Sequence, residues 1–223
     1  MGRLALILGS SAFGGGGEEI AAVAKRHGVV VIQRHGAAGY RLPHRIDHAA
    51  NLRSLLDAGC DRAVAVGSVG SLKVDLGVGS LVCPHDFIAL QVTITTFDDT
   101  RGHAMPGFDQ ALRRELLAVW ETSGAPPLRD GGVYWQATGP RFETPAEIAL
   151  LAAHADLVGM TLASECIVAG ELGLPYAAVC MVDNLANGIA DQPLSPAELE
   201  RDRETNATRL RDALDTVLPA LMG

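Results

Sequence analysis

Short unbroken apolar runs alternate along the chain with longer stretches in which apolar residues recur every three or four positions. Runs of the first kind read as buried strands, and stretches of the second kind as amphipathic helices. Strands are expected at Leu4–Leu8, Val29–Gln33, Arg62–Val66, Ser80–Cys83, Phe87–Leu90, Gly132–Gln136, Leu157–Gly159 and Tyr176–Val182. Helices are expected at Glu18–Arg26, Asp47–Ala58, Gln110–Ser123, Pro145–Ala153, Ser164–Leu172 and Pro196–Leu218. Thr144-Pro145-Ala146-Glu147 and Ser195-Pro196-Ala197-Glu198 both place a hydroxyl at the N-cap, Pro at the first helical position and Glu at the third. That order satisfies otherwise orphaned helix amides reciprocally. Gly14–Gly17 reads as a loop, and Leu199, Leu210, Leu214, Val217 and Leu221 form one stripe on the last helix.

Strand–helix alternation implies an α/β sandwich around a largely parallel sheet. Composition agrees: 48% of the 223 residues are hydrophobic but only 4% aromatic, so the core must be aliphatic, as buried sheets covered by helices are. No shift in composition marks a linker, and residues 1–223 read as one domain. A net charge of -8 disfavours a nucleic-acid partner. No apolar run approaches the roughly 20 residues that a membrane span needs. The opening MGRLALILGSS is too short in its apolar part for a signal sequence and suits a first strand. Cys60, Cys83, Cys166 and Cys180 lie far apart without CxxC pairing, which reads as reduced, buried thiols of a cytoplasmic protein rather than a metal site.

In sheets of this kind ligands bind beyond the carboxyl ends of the strands. The polar residues expected there are Ser10, Arg34-His35, Ser68, Phe142-Glu143, Met160-Thr161 and Asp183-Asn184. Ser10 before a glycine-rich loop, Arg34 with its planar fork, His35, and the hydroxyl and amide cluster Gly67-Ser68-Val69-Gly70-Ser71 together suit a phosphate-sized anion. Phe142 can stack on a planar ring, Glu143 accepts from ring N–H groups, and Asn184 both donates and accepts. That second set suits a purine carrying an oxygen at C6.

LGSS, RHG followed by a helix start carrying Ala50-Asn51, GSVGSL, GPRFETPAE, VGMT with Glu165 four residues on, and MVDNLANG occur in that order. Together they resemble the trimeric purine nucleoside phosphorylases and the related methylthioadenosine phosphorylases, over nearly the whole chain. The resemblance implies a three-layer αβα sandwich with a mixed, largely parallel central sheet. It also implies an enzyme of purine salvage, a pentosyltransferase that splits a nucleoside with inorganic phosphate. No cofactor is implied; phosphate is a co-substrate, and no metal is needed.

Carried over residue by residue, Ser10, Arg34, His35, Ser68 and Thr161 correspond to the phosphate cage, with the Val69 amide beside them. Met160 corresponds to the floor under the ribose, Phe142 and Glu143 to the base-side wall and acceptor, and Asn184 to the residue bonding N7 and O6. Glu143 and Asn184 are thus the expected catalytic pair. His103 resembles a histidine contributed across a subunit interface toward the sugar's 5′ end, implying a homotrimer or a dimer of trimers. Asn184 favours inosine and guanosine; Asp183, were it to face the base, would favour adenine. A methylthio group at the 5′ position, as in methylthioinosine or methylthioadenosine, is the alternative substrate type. Ser11 and Val69 depart from the smaller residues usual at their positions. A dinucleotide enzyme is disfavoured because no GxGxxG follows a strand.

Overall fold

The computed structural model describes residues 2–9, 16–36, 39–190 and 196–222. Among them nine strands form one sheet: β1 (Leu4–Leu8), β2 (Val30–Gln33), β3 (Arg62–Ser71), β4 (Leu81–Cys83), β5 (Asp86–Ile88), β6 (Leu128–Asp130), β7 (Val133–Gln136), β8 (Leu157–Gly159) and β9 (Tyr176–Leu185). The helices are α1 (Gly16–Arg26), α2 (His48–Asp57), α3 (Gln110–Thr122), α4 (Pro145–Ala152), α5 (Leu162–Glu171) and α6 (Pro196–Met222). Most pairings are parallel; β3 with β8 and β4 with β9 run antiparallel, making the sheet mixed, as expected.

Alternation along β1 shows how the layers arise. Leu4, Leu6 and Leu8 point to one face and meet Ile20, Trp120, Leu210 and Leu214 from α1, α3 and α6. Ala5 and Ile7 point to the other and meet Leu52, Leu55, Cys166 and Val168 from α2 and α5. Each such buried aliphatic side chain contributes about 1.5–3 kcal/mol, so two continuous aliphatic faces stabilise the sheet with few aromatic rings. All four cysteines are free and buried within these faces. A third, smaller cluster seats α4 through Ile148 and Leu151 against Leu72, Val158 and Ala186.

Several boundaries differ from expectation. The segment Gly67–Ser71 is not a loop after β3 but its second half, because β9 supplies a ladder along the whole strand, with one register shift between Val69 and Gly70. β9 likewise runs on to Leu185, carrying Asp183 and Asn184 within a strand. Leu128–Asp130, outside every expected strand and helix, pairs with β4. Gly16 and Gly17 belong to α1 rather than a loop, and α6 continues past Pro219. Ser195, with the cap assigned to it, lies outside the described residues, as do Ser10 and Ser11.

One feature of the topology creates the site. On the edge of β3 away from β9, pairing with β1 ends at Ile7↔Ala65 and pairing with β8 begins only at Gly70↔Val158. Two strands approaching from opposite directions leave a gap beside residues 66–69. Backbone groups facing such a gap need other partners.

Candidate active site

A cavity of about 260 Å³ opens at this gap. Arg34 and His35 reach it from the end of β2, Ser68 and Val69 from the middle of β3, and Met160 and Thr161 from the end of β8. Phe142 and Glu143 border it from the segment before α4, and Asn184 from β9. All the expected phosphate- and base-binding residues that the structure describes therefore meet in one place, His103 excepted. His103 ends an exposed 3-10 turn, Thr100–His103, and does not line this chain's cavity. Ser10 lies outside the described residues. Tyr40, Asn187 and Arg203 also line the cavity without having been singled out in the sequence. Asn187 stood inside the MVDNLANG motif, whereas Arg203 is one of several arginines on α6 with no local signal.

Arg34 is only 2% exposed, and its position is fixed from several sides. Its Nη1 donates to the Val66 carbonyl at 2.8 Å, supplying the partner that the broken ladder withholds. Gly9 makes room for this: a Cβ there would lie 2.2 Å from Nη1. Asn51 on α2, capped by Asp47, donates to the Arg34 carbonyl at 3.2 Å. The guanidinium does not face the cavity as a lone cation. Its Nε and Nη2 donate to the two oxygens of Glu165 at 2.6 and 3.0 Å, and Tyr176 donates to the same carboxylate at 2.7 Å. Burial alone would lower the Arg34 pKa and raise that of Glu165. The charge and hydrogen bonds of the pair outweigh burial in both, holding Arg34 above and Glu165 below their ordinary values.

His35 donates Nδ1–H to the Arg41 carbonyl at 2.8 Å, an acceptor that fixes the tautomer, and stacks on Tyr40. Burial pushes its pKa below the usual value, so the ring is neutral near pH 7. The Ser68 hydroxyl donates to Asp183, and Asn206 on α6 donates to the other oxygen of that carboxylate at 2.8 Å. Burial raises the Asp183 pKa although both hydrogen bonds and Arg203 oppose it. Asp183 is thus spent beneath Ser68, while Asn184 is the member of the pair that borders the cavity.

Thr161 sits at the N-cap of α5 but makes no side-chain cap. Other residues satisfy the first amides of the helix: Tyr134 accepts from Thr161 and Leu162, and Gln136 accepts from Ser164. The Thr161 hydroxyl is therefore not consumed by capping, and the positive end of the α5 dipole points toward the cavity.

The expected capping box at Thr144 is present. Its hydroxyl accepts from the Glu147 amide at 3.2 Å, and Glu147 accepts from the Thr144 amide at 2.7 Å. Arg141 pairs with Glu147 at 2.8 Å, which together with the amide holds that carboxyl down at about 2. This rigid helix entrance carries Phe142 and Glu143, and Asn187 donates to the Glu143 carbonyl at 2.9 Å. Phe142 is 49% exposed, so its ring is a wall open to a ligand rather than a core residue. Burial raises the pKa of Glu143. At Gly139 the backbone has φ +64° and a Cβ would lie 2.6 Å from the Met160 sulfur, so only glycine lets this segment close over Met160.

Residues 11–219 match the model of the phosphorylase superfamily. The chain is 44% identical over 179 residues to a probable 6-oxopurine nucleoside phosphorylase of Archaeoglobus fulgidus, covering 80% of this chain and 74% of that one. It is 34% identical over 200 residues to a probable S-methyl-5′-thioinosine phosphorylase of Methanothermobacter thermautotrophicus, covering 88% and 70%. Its fold matches methylthioadenosine phosphorylase from Schistosoma mansoni in complex with adenine with a TM-score of 0.83, at 21% identity over 100% of this chain and 92% of that one. With the family model spanning nearly its whole length and its expected site residues gathered at one break in the sheet, the chain belongs to the phosphorylase superfamily.

Proposed function

We propose that the chain catalyses reversible phosphorolysis of 6-oxopurine nucleosides, inosine and guanosine, to free base and ribose 1-phosphate. The observation that carries this reading is the pairing, within one cavity, of an oxyanion side and a base side. Arg34, His35, Ser68 and Thr161 form the first; Phe142, Glu143 and Asn184 form the second; Met160 lies on the cavity wall with them. A phosphate oxygen attacks C1′, the C1′–N9 bond breaks, and its electron pair leaves with the purine. Positive charge grows on the sugar and negative charge on the base, so donors aimed at the departing purine act selectively on the transition state. In this reading Asn184 bonds N7 and O6 while Glu143 accepts from N1–H. The co-substrate is inorganic phosphate, and no cofactor takes part.

Asn184 rather than Asp183 at the cavity supports an oxygen over an amino group at C6. A methylthio group at the 5′ position is the second reading: Leu42 and Pro43 give the cavity an apolar portion, and several relatives carry the name S-methyl-5′-thioinosine phosphorylase. The active form in this proposal is a cytoplasmic homotrimer or dimer of trimers in which His103 serves a neighbouring subunit.

A panel of inosine, guanosine, adenosine, methylthioadenosine and methylthioinosine, each with and without phosphate, tests the reading. It expects phosphate-dependent release of hypoxanthine or guanine, with the adenine nucleosides poor. Preference for the adenine nucleosides would contradict the base assignment.

A further inference from the structure

Arg34 carries more donors than its fixed partners accept. A guanidinium carries five N–H donors. In Arg34, Nε–H and one Nη2–H go to Glu165 and one Nη1–H goes to Val66, so two N–H groups, one on each terminal nitrogen, have no partner among the described residues. One sits on Nη1 and one on Nη2, and Arg34 lines the cavity. Unspent guanidinium N–H groups at a cavity suit the oxygens of an oxyanion.

How the fork is oriented depends on Glu165. The carboxylate is wholly buried and does not line the cavity, so it touches no ligand. It is itself gripped by Tyr176 at 2.7 Å, and Tyr176, the first residue of β9, stacks on the Phe108 ring. His48 on α2 completes the surroundings. Its Nδ1 is buried without a hydrogen-bond partner among the described residues and lies 3.8 Å from Glu165 Oε1, too far to compete with Arg34. Burial lowers the His48 pKa, so this ring is neutral and leaves the Arg34–Glu165 pair one to one.

We infer that Glu165, braced by Tyr176, is a positioning residue for phosphate: it spends three-fifths of the fork together with Val66 so that the remaining two N–H groups are presented to the oxyanion. The inference rests on the proposed phosphorolysis and adds to it a residue that meets neither substrate. A pair that merely held the fold together would change the fraction of active protein. A pair that aims the fork changes affinity for phosphate and leaves the nucleoside side alone.

The experiment measures KM for phosphate and for inosine, with kcat, in the wild-type chain, Glu165→Gln and Tyr176→Phe, after circular dichroism has checked folding. Glu165→Gln keeps the shape but puts an amide NH2 against an Arg34 N–H, freeing the fork to turn. The expected result is a phosphate KM raised on the order of 10- to 100-fold, the scale of a small misplacement of a binding group, with the inosine KM within about twofold. Tyr176→Phe removes one hydrogen bond outside the cavity and should move the phosphate KM in the same direction by a few-fold; it carries the test if Glu165→Gln does not fold. An unchanged phosphate KM in folded Tyr176→Phe, or equal changes in both KM values, overturns the inference. Wild-type turnover indifferent to phosphate instead removes the reading on which it rests, and that is seen before any variant is compared.

Discussion

Ser68 and Asp183 join neighbouring strands by a hydrogen bond from hydroxyl to carboxylate, a bond that occupies Asp183 beside the residue that borders the cavity. Asp183, with Ser68 on one oxygen and Asn206 on the other, is fully buried; Asn184 turns the opposite way, into the cavity. The same bond means that Ser68 already donates its proton. To hold an oxyanion it must rotate its hydroxyl away from Asp183, which a proton on Asp183 would make easier.

Asn184→Asp is expected to reverse the base preference. One amide N–H donates to the Leu185 carbonyl at 2.9 Å, leaving the other N–H and the oxygen for a ligand. A carboxylate cannot donate to O6, so kcat/KM for inosine should fall on the order of 10²–10³, the usual loss for one transition-state donor. Adenosine-type substrates should lose far less. Unchanged relative kcat/KM for the two bases would remove Asn184 from the base site.

Asp183→Asn should alter the pH dependence of stability. The folded pKa is raised, so the folded chain holds that proton more tightly than the unfolded one. The penalty is absent below the unfolded value of about 3.9 and grows as pH rises through the folded value. An amide can accept from Asn206 and donate to Ser68, so it avoids the penalty. The variant's Tm relative to wild type should therefore increase from pH 4 to pH 7. A difference that stays constant over that range would contradict the assignment.

Arg34→Ala leaves Glu165 as an uncompensated buried charge, which should cost about 3–5 kcal/mol. Arg34→Met combined with Glu165→Met should cost less than Arg34→Ala alone, despite removing both charges. Because the folded Glu165 pKa is depressed, the pair's contribution is present above about pH 4.3 and is lost as pH falls through the folded value. Denaturant unfolding at pH 7 and pH 3 checks both points; a double variant less stable than the single one would contradict the buried-pair account.

Thr144→Ala should lower stability by about 1 kcal/mol through loss of the cap. Because the box carries Phe142 and Glu143, the inosine KM should rise while the phosphate KM holds. Thermal unfolding and steady-state kinetics distinguish this from a purely local loss, in which the Tm falls and neither KM moves.

Much of this was legible in the sequence because local chemistry agreed with the fold. The run Leu4–Leu8 matched its strand, and Thr144 with Glu147 matched its cap. Phe142, Glu143, Met160, Thr161 and Asn184 could be placed at one site because each stands at or near the end of an element. What sequence could not show depended on distant partners. Strand β3 continues through Gly67–Ser71 because β9 runs alongside it and β8 joins at Gly70 and Ser71. Arg34 read as an open cation; its partner Glu165 is 131 residues away, on a helix face with no pattern that points to β2. Arg203 reaches the cavity through the path of α6, which its own neighbours do not reveal.

In the proposed reaction phosphate, not water, takes the sugar. The direct measurement is the sugar product of inosine turnover, resolved by phosphorus NMR alongside hypoxanthine release. Phosphorolysis gives one ribose 1-phosphate for each hypoxanthine and no turnover when phosphate is withheld. Free ribose formed at an undiminished rate without phosphate would contradict it.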